Sequence, residues 1–366
     1  MVTVSDLAVR HGPFATGASW ATAGWQRVRL AVGPVLQASI AASIAYNIGL
    51  HVFGHERPFF AAIAAWMCLG FSFERDIRRV AEIALGVTLG VTLGDLVVST
   101  IGSGWWQLSA VLFTAALMAR FVNSGVLLTT QAGSQAIVIA GLPNILGGPY
   151  SRALDAAIGA AIALLFTILT PYKPGKATRR RTANIVTTLS TSAAMLASSL
   201  RAGNAGAMET ALANARSSEP ILNAAVTQAN MARRQSRWTI NRKQVPLWAE
   251  IEHRDTMLDR AMRSLRVLAR RLRFDAVDAA APERAWLAGI LSRYSSACLT
   301  LAESVRNGTP LELDRAELTA IAHDLAEHTS LDPAIATGAA VFRAVIADTL
   351  QATGASQAEA TAALHP

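Results

Sequence analysis

Apolar and polar positions divide the chain into two stretches of different character. Between residues 30 and 170, six apolar runs follow one another, at 30–53, 59–73, 80–101, 105–121, 126–142 and 154–170, each closed by a charged or Gly/Pro-rich turn. About 20 apolar helical residues cross the hydrocarbon core of a bilayer, so the pattern predicts six transmembrane helices. The run 59–73 is the shortest for its task. It must include its Arg57-Pro58 end, tilt little, or sit where the bilayer thins. In the third run, glycine recurs at every fourth place: Gly86, Gly90 and Gly94 form a double G-x-x-x-G ladder. On a helix these lie along one narrow strip, which lets a neighbouring backbone approach closely. Gly159 takes part in a similar pattern of an acid followed by small residues in the sixth run, Asp155-Gly159-Ala163.

After Arg181 no long apolar run remains, and the pattern becomes that of water-soluble helices. Breaks fall at 203–206, 244–246, 279–282, 307–310 and 332–333, which predicts five or six helices. Thr309-Pro310-Leu311-Glu312 reads as a helix start, with Thr309 as the hydroxyl cap and Glu312 three places on. Asn307-Gly308 reads as the stop of the helix before it. Leu258, Ala261, Leu265, Leu268 and Leu272 recur at nearly heptad spacing, so this helix is expected to pack along another. The expected organisation is a weakly ordered cytoplasmic segment at 1–26, a six-helix transmembrane domain at 27–175 and a cytoplasmic helical domain at 176–366. The fold class is all-α, a polytopic membrane protein.

Composition agrees with this division. The chain is 52% hydrophobic and only 16% charged, with mean hydropathy +0.33, whereas soluble domains hold about 25% charged residues. The net charge of +8 is unevenly spread. Of the Lys and Arg flanking the six runs, twelve lie on one side (Arg10, Arg27, Arg29, Arg75, Arg78, Arg79, Arg120, Lys173, Lys176, Arg179, Arg180 and Arg181) and two, Arg57 and Arg152, on the other. Basic residues favour the cytoplasmic side, which puts both termini in the cytoplasm and the protein in the plasma (inner) membrane. The first run is preceded by a long polar lead and is too long for a signal-peptide core, so it reads as a retained span. Cys68 and Cys298 imply no disulfide framework.

Several of these features occur together in a known order. Arg57-Pro58-Phe59-Phe60 precedes a short span, an arginine-rich turn runs through Arg79, the glycine ladder ends in Gly94-Asp95, and Gly104-Trp105-Trp106-Gln107-Leu108 opens the next span. Over residues 25–180 the combination resembles the fusaric acid resistance protein-like (FUSC) family, within the aromatic acid exporter group. It is also similar in plan to the aluminium-activated malate transporters of plants. The resemblance implies export of carboxylated aromatics, with proton coupling the usual supposition. Since this chain holds one six-span unit where some relatives carry two, it also implies a homodimer or higher homo-oligomer.

The residues that carry candidate chemistry are few. Asp95 stands inside an apolar run, where a carboxylate must be paired, neutral or facing water. It reads either as a titrating group in a transport path or as a structural pair. Arg57, beside His55 at the outer mouth, offers a bidentate contact to an organic anion, or simply reaches the headgroups. Arg75, Arg78 and Arg79 mark topology and also lie where a cytoplasmic anion would arrive. Glu82 is explained by an i,i+4 pair with Arg78. Gln131 and Gln135, one turn apart in the fifth run, either line a path or hold helices together. Asp155 reads as an interfacial acid.

In the second stretch, Arg263, Arg266, Arg270 and Arg273 share a helix face. The face either steers organic anions toward the pore or touches anionic lipid headgroups, or it is a solvated surface paired with the acidic stretch 309–366. His323, Asp324, Glu327 and His328 have the wrong spacing for a helical metal pair, so no metal site is expected. No phosphate loop, nucleophile triad or nucleic-acid module is found, and no cofactor is expected. The sequence therefore points away from an enzyme. The leading expectation is a transporter of small organic anions in the lipid bilayer, with a passive gated anion channel and a membrane-anchored scaffold as alternatives.

Overall fold

The computed structural model describes residues 17–71, 76–141, 150–170, 175–240, 242–275, 279–328 and 332–365. Every regular element among them is helical. The chain forms two compact units, one built from residues 1–172 with 235–242, the other from 173–234 with 243–366.

The first unit holds six helices: α1 (Gly17–His51), α2 (Phe59–Leu69), α3 (Ile77–Ile101), α4 (Trp105–Val122), α5 (Val126–Gly141) and α6 (Ser151–Leu169). Helix α1 starts ten residues ahead of Arg27, inside the segment read as weakly ordered. Its first turns hold Ala18, Ala21 and Ala23, good helix formers, and no proline separates them from the apolar run. The carboxylate of Asp76 starts α3 by accepting the backbone N–H of Arg78 at 3.0 Å. Gly70, at φ 61°, ends α2 after 11 residues, sooner than the run 59–73 suggested.

Four of the six helices are long and apolar enough to cross a bilayer: α1 over Ala31–His51, α3, α4 and α6. Helices α2 and α5 are shorter, 11 and 16 residues, or roughly 16 and 24 Å against a core of about 30 Å. Both lie among neighbours. Helix α2 packs on α1 and α6, and α5 on α3 and α4. Short or interrupted helices are tolerated at membrane depth when protein surrounds their ends. By contrast, α4 turns Trp105, Phe113 and Phe121 outward, an apolar surface suited to lipid.

The second unit holds eight α-helices among the described residues: α7 (Lys176–Ala202), α8 (Ala205–Ser217), α9 (Glu219–Ser236), α10 (Val245–Asp275), α11 (Ala281–Asn307), α12 (Glu312–Glu327), α13 (Pro333–Ala352) and α14 (Gln357–Ala362). The expected five breaks are all present, and two more occur, at Ser218 and at 353–356. The leucines of α10 form the expected seam: Leu258, Leu265, Leu268 and Leu272 are buried, and α10 packs along α13 and α8. Helix α13 meets the same length and hydropathy standard as the spans of the first unit, at mean hydropathy 1.3, so the second stretch does contain an apolar run long enough to cross a bilayer. Its Ile335, Phe342, Val345 and Ile346 are fully buried in this unit's core. Gly308, at φ 73°, closes α11 as expected. Thr309 does not cap α12; its hydroxyl donates back to the Ser304 carbonyl and finishes α11 instead.

Candidate functional site

The glycine ladder sets the position of everything around it. A Cβ on Gly86 would stand 2.8 Å from the Leu128 carbonyl oxygen, one on Gly94 would stand 2.8 Å from Ile139 Cβ, and one on Gly90 would collide with the Ala132 carbonyl. The strip therefore lies backbone to backbone on α5, as its spacing predicts. Gly159 does the same for α6, facing Ala61, Ala64 and Ala65 of α2.

With the ladder committed to α5, the next residue, Asp95, points elsewhere. Its carboxylate meets Nη1 of Arg152 on α6 at 3.4 Å, and the two side chains are only 14% and 13% exposed. The other oxygen, Oδ2, is buried with no hydrogen-bond partner among the described residues. One turn along α6 from Arg152, Asp155 meets a different neighbour, Nδ1 of His55 in the α1–α2 connection, at 2.6 Å. Asp155 is buried, and Gly49 of α1 leaves room for it: a Cβ there would come 3.4 Å from Oδ1 and press on Pro58. Two acid–base pairs thus share one end of α6 and tie it to α3 and to the α1–α2 connection. Charges in such surroundings are retained only when paired.

The remaining candidates stand apart from this cluster. Gln131 packs its Cβ at Gly86, roughly 13 Å along α3 from Asp95. Gln135 is buried, and its Nε2 donates to Met67 Sδ at 3.3 Å. Both glutamines keep a buried Oε1 without a partner among the described residues. Arg57 is exposed, as are Arg78 and Arg79. Arg78 makes the expected pair with Glu82 at 3.4 Å, and Glu82 also accepts from Asn123 Nδ2 at 2.9 Å. Arg75 lies outside the described residues, as do Lys173 and the 142–149 connection.

Sequence reasoning missed two members of the cluster. Arg152 entered only as a count toward orientation, and Asp155 as an interfacial acid. The available signal was their i,i+3 spacing at the head of an apolar helix, which puts both on one side of α6.

In the second unit, the arginine face of α10 is paired, but not mainly with the acidic stretch 309–366. Arg263 pairs with Asp259 at 2.7 Å, Arg266 with Glu219 at 2.8 Å, and Arg273 with Glu209. The partners come from α10 itself, from α8, which packs on α10, and from Glu219, the first residue of α9. Asp324 is taken by Arg293. His328 stacks on Trp286 with ring centroids 3.8 Å apart and stands 3.7 Å from Glu283.

The arrangement of short buried helices, glycine strip and Gly94-Asp95 can be set against known proteins. Residues 40–166 match the sequence model described as "Fusaric acid resistance protein-like". Over those residues the chain is similar to that family. An uncharacterized protein of Corynebacterium glutamicum is 34% identical over 252 residues, covering 67% of this chain and 64% of its own length. Proteins of Mycobacterium bovis and Mycobacterium tuberculosis named "Putative arylamide transporter" are 32% identical over 149 residues, covering 39% of this chain and 42% of their own length. The chain thus spans less than two thirds of the length of these relatives. The fusaric acid resistance-like part ends within α6 and so lies in the first unit, whereas the 252 residues matched in the Corynebacterium glutamicum protein are more than that unit holds and extend into the second. Together with four spans of sufficient length in that unit, it makes this a membrane protein.

Proposed function

We propose that the protein is a transporter that exports small organic anions, aromatic carboxylates or related toxic compounds, across the inner membrane. The observation that carries this reading is the half-hidden Asp95–Arg152 pair inside an apolar helix bundle, with one carboxylate oxygen unpartnered among the described residues. Intramembrane ionisable groups mark substrate and proton pathways. In the empty carrier Asp95 holds Arg152. A substrate carboxylate competes for the same guanidinium, which binds carboxylates bidentately. Asp95 is then the group through which a proton couples to transport.

Six spans, a cytoplasmic second unit, both termini in the cytoplasm and a homodimer complete this reading, supported by the twelve-to-two distribution of basic flanks. Arg57 guards the outer mouth, Arg75, Arg78 and Arg79 the inner one, and Gln131 and Gln135 line the way between.

The relatives named for arylamides favour a second reading, in which the cargo is an aromatic amide. The amide oxygens of Gln131 and Gln135, unpartnered among the described residues, suit an N–H donor from such a cargo.

Purified protein in proteoliposomes decides the matter. With labelled benzoate inside or out, an imposed pH gradient drives uphill flux through the wild type, and Asp95→Asn loses the coupling. Current driven by voltage alone would make it a channel, and the absence of any flux would leave a scaffold. Flux of a labelled anilide in place of benzoate would select the second reading.

A further inference from the structure

The second unit contains a cavity of about 550 Å³ between α7, α10, α11 and α12, within the range of small-molecule sites. Three guanidinium groups line it, one from each of three helices: Arg179, Arg254 and Arg315. Each is fixed by the carbonyl at the end of another helix. Arg179 donates to Asn307 at 3.3 Å, Arg254 Nε to Ala352 at 3.1 Å and Arg315 Nη2 to Thr353 at 2.8 Å. A guanidinium has five N–H donors, and these contacts leave others for a ligand. Because the groups are already held, a ligand does not bear the entropy of ordering them.

Helices α7 and α12 both begin at this cavity, and neither N-cap, Gly175 nor Leu311, supplies a side-chain bond to the first turn. Helix starts favour anions through their backbone N–H groups. The cavity also has two acids. Glu250 is tied to Arg254 at 2.7 Å, and Glu312 is exposed on the first turn of α12. Ile251, Val305 and Leu247 give one wall an apolar character.

We propose that this cavity binds a small organic anion with at least two acidic groups, carboxylate or phosphate. Three cations from three directions suit a multivalent ligand better than a monocarboxylate, and the apolar wall takes its carbon skeleton. Helix α7 is the first helix after α6 in the chain, and the ligand holds its first turn, at Thr178 and Arg179. The site is a sensing site, and its existence does not depend on the transport reading.

The test is binding to the purified full-length protein in neutral detergent, measured by calorimetry and by the shift in melting temperature. Citrate and pyrophosphate are the probes, and benzoate is the monovalent comparison. Citrate or pyrophosphate should bind at least about tenfold more tightly than benzoate, as expected for added charge pairs. Leu247 is 45% exposed, so Leu247→Glu leaves the fold intact while placing an acid in the cavity. It should weaken the favoured probe about tenfold or more. Arg179→Gln, at an exposed position, should do the same, whereas Arg306→Gln outside the cavity should not. If neither probe binds at millimolar concentration, or if both cavity variants bind as the wild type does, the proposal fails. Repeating the titration in phosphatidylglycerol and in phosphatidylcholine nanodiscs identifies the source. Loss of citrate binding only in phosphatidylglycerol makes a lipid headgroup the natural occupant, and equal binding in both makes it a soluble anion.

Discussion

Nη1 of Arg152 lies 3.4 Å from a carboxylate oxygen of Asp95, joining α6 to α3 across 57 residues of chain. The contact is long for a hydrogen bond, and both side chains are largely hidden. Removing one partner strands the other charge. Arg152→Gln should therefore lower stability by about 3 kcal/mol, read as an earlier thermal transition in detergent. The exchange variant, Asp95→Arg with Arg152→Asp, should recover most of that loss and still fail to transport. Recovery of transport by the exchange would show that the pair is a brace and nothing more.

The ladder predicts a steep size limit at its centre. Any Cβ on Gly90 runs into the Ala132 backbone, which cannot swing aside as a side chain would. Gly90→Val should cost about 1–3 kcal/mol through overpacking. Gly141→Ala meets nothing within 4 Å and should melt with the wild type. Equal melting of both variants would mean that α3 and α5 do not touch along this strip.

Asp255 gives the second unit a defined response to pH. Its carboxyl is buried, accepts from Thr182 at 2.9 Å and stands 3.5 Å from Arg181. Burial raises its pKa above the usual value of 3.8, and Arg181 and the Thr182 bond oppose that only in part. A carboxyl with a raised folded pKa favours the folded state fully below the unfolded value and loses that favour as pH rises through the folded one. Arg181→Gln removes the counter-charge and should cost about 3 kcal/mol at neutral pH. The deficit should shrink as pH falls toward 4 and Asp255 takes up its proton. Unfolding curves at pH 8 and pH 5 measure the difference, and an equal deficit at both would refute it.

Cys298 should be inert in the folded protein. It is fully buried in α11, and burial pushes its thiol up to about 12. The thiolate is the reactive form, so iodoacetamide at pH 8 should leave the Cys298 peptide unmodified in native protein and alkylate it after denaturation. Rapid native alkylation, followed by mass spectrometry, would contradict the packing of α11.

Much of this arrangement is legible in the residues, for reasons that are local. Apolar runs, the glycine spacing and the breaks at Gly203, Gly308 and Asp332-Pro333 depend on side chains a few positions apart. The two unexpected breaks in the second unit had quieter signals. Ser218 separates α8 from α9 by a single residue ahead of Pro220, and Ser356 with Glu359 forms a capping box after Gly354 at φ 96°. Both signals are short, and alanine-rich sequence on either side masks them. The partners of Asp95 and Asp155 were not legible, because they come from segments 57 and 100 residues away. Thr309 misled for the opposite reason: its sequence suits either the end of α11 or the start of α12, and packing chose the former.

The close seating of glycine on backbone has a mechanical corollary. Helices α3 and α5 are locked into one slab, and α2 and α6 into another by Gly159. Neither slab can shear internally without driving carbonyl groups into Cα atoms. A bundle built this way can only hinge between its slabs, and the Asp95–Arg152 tie crosses that joint. Loosening the tie would remove one polar link across that joint and leave the apolar packing of α3 on α6 to hold it.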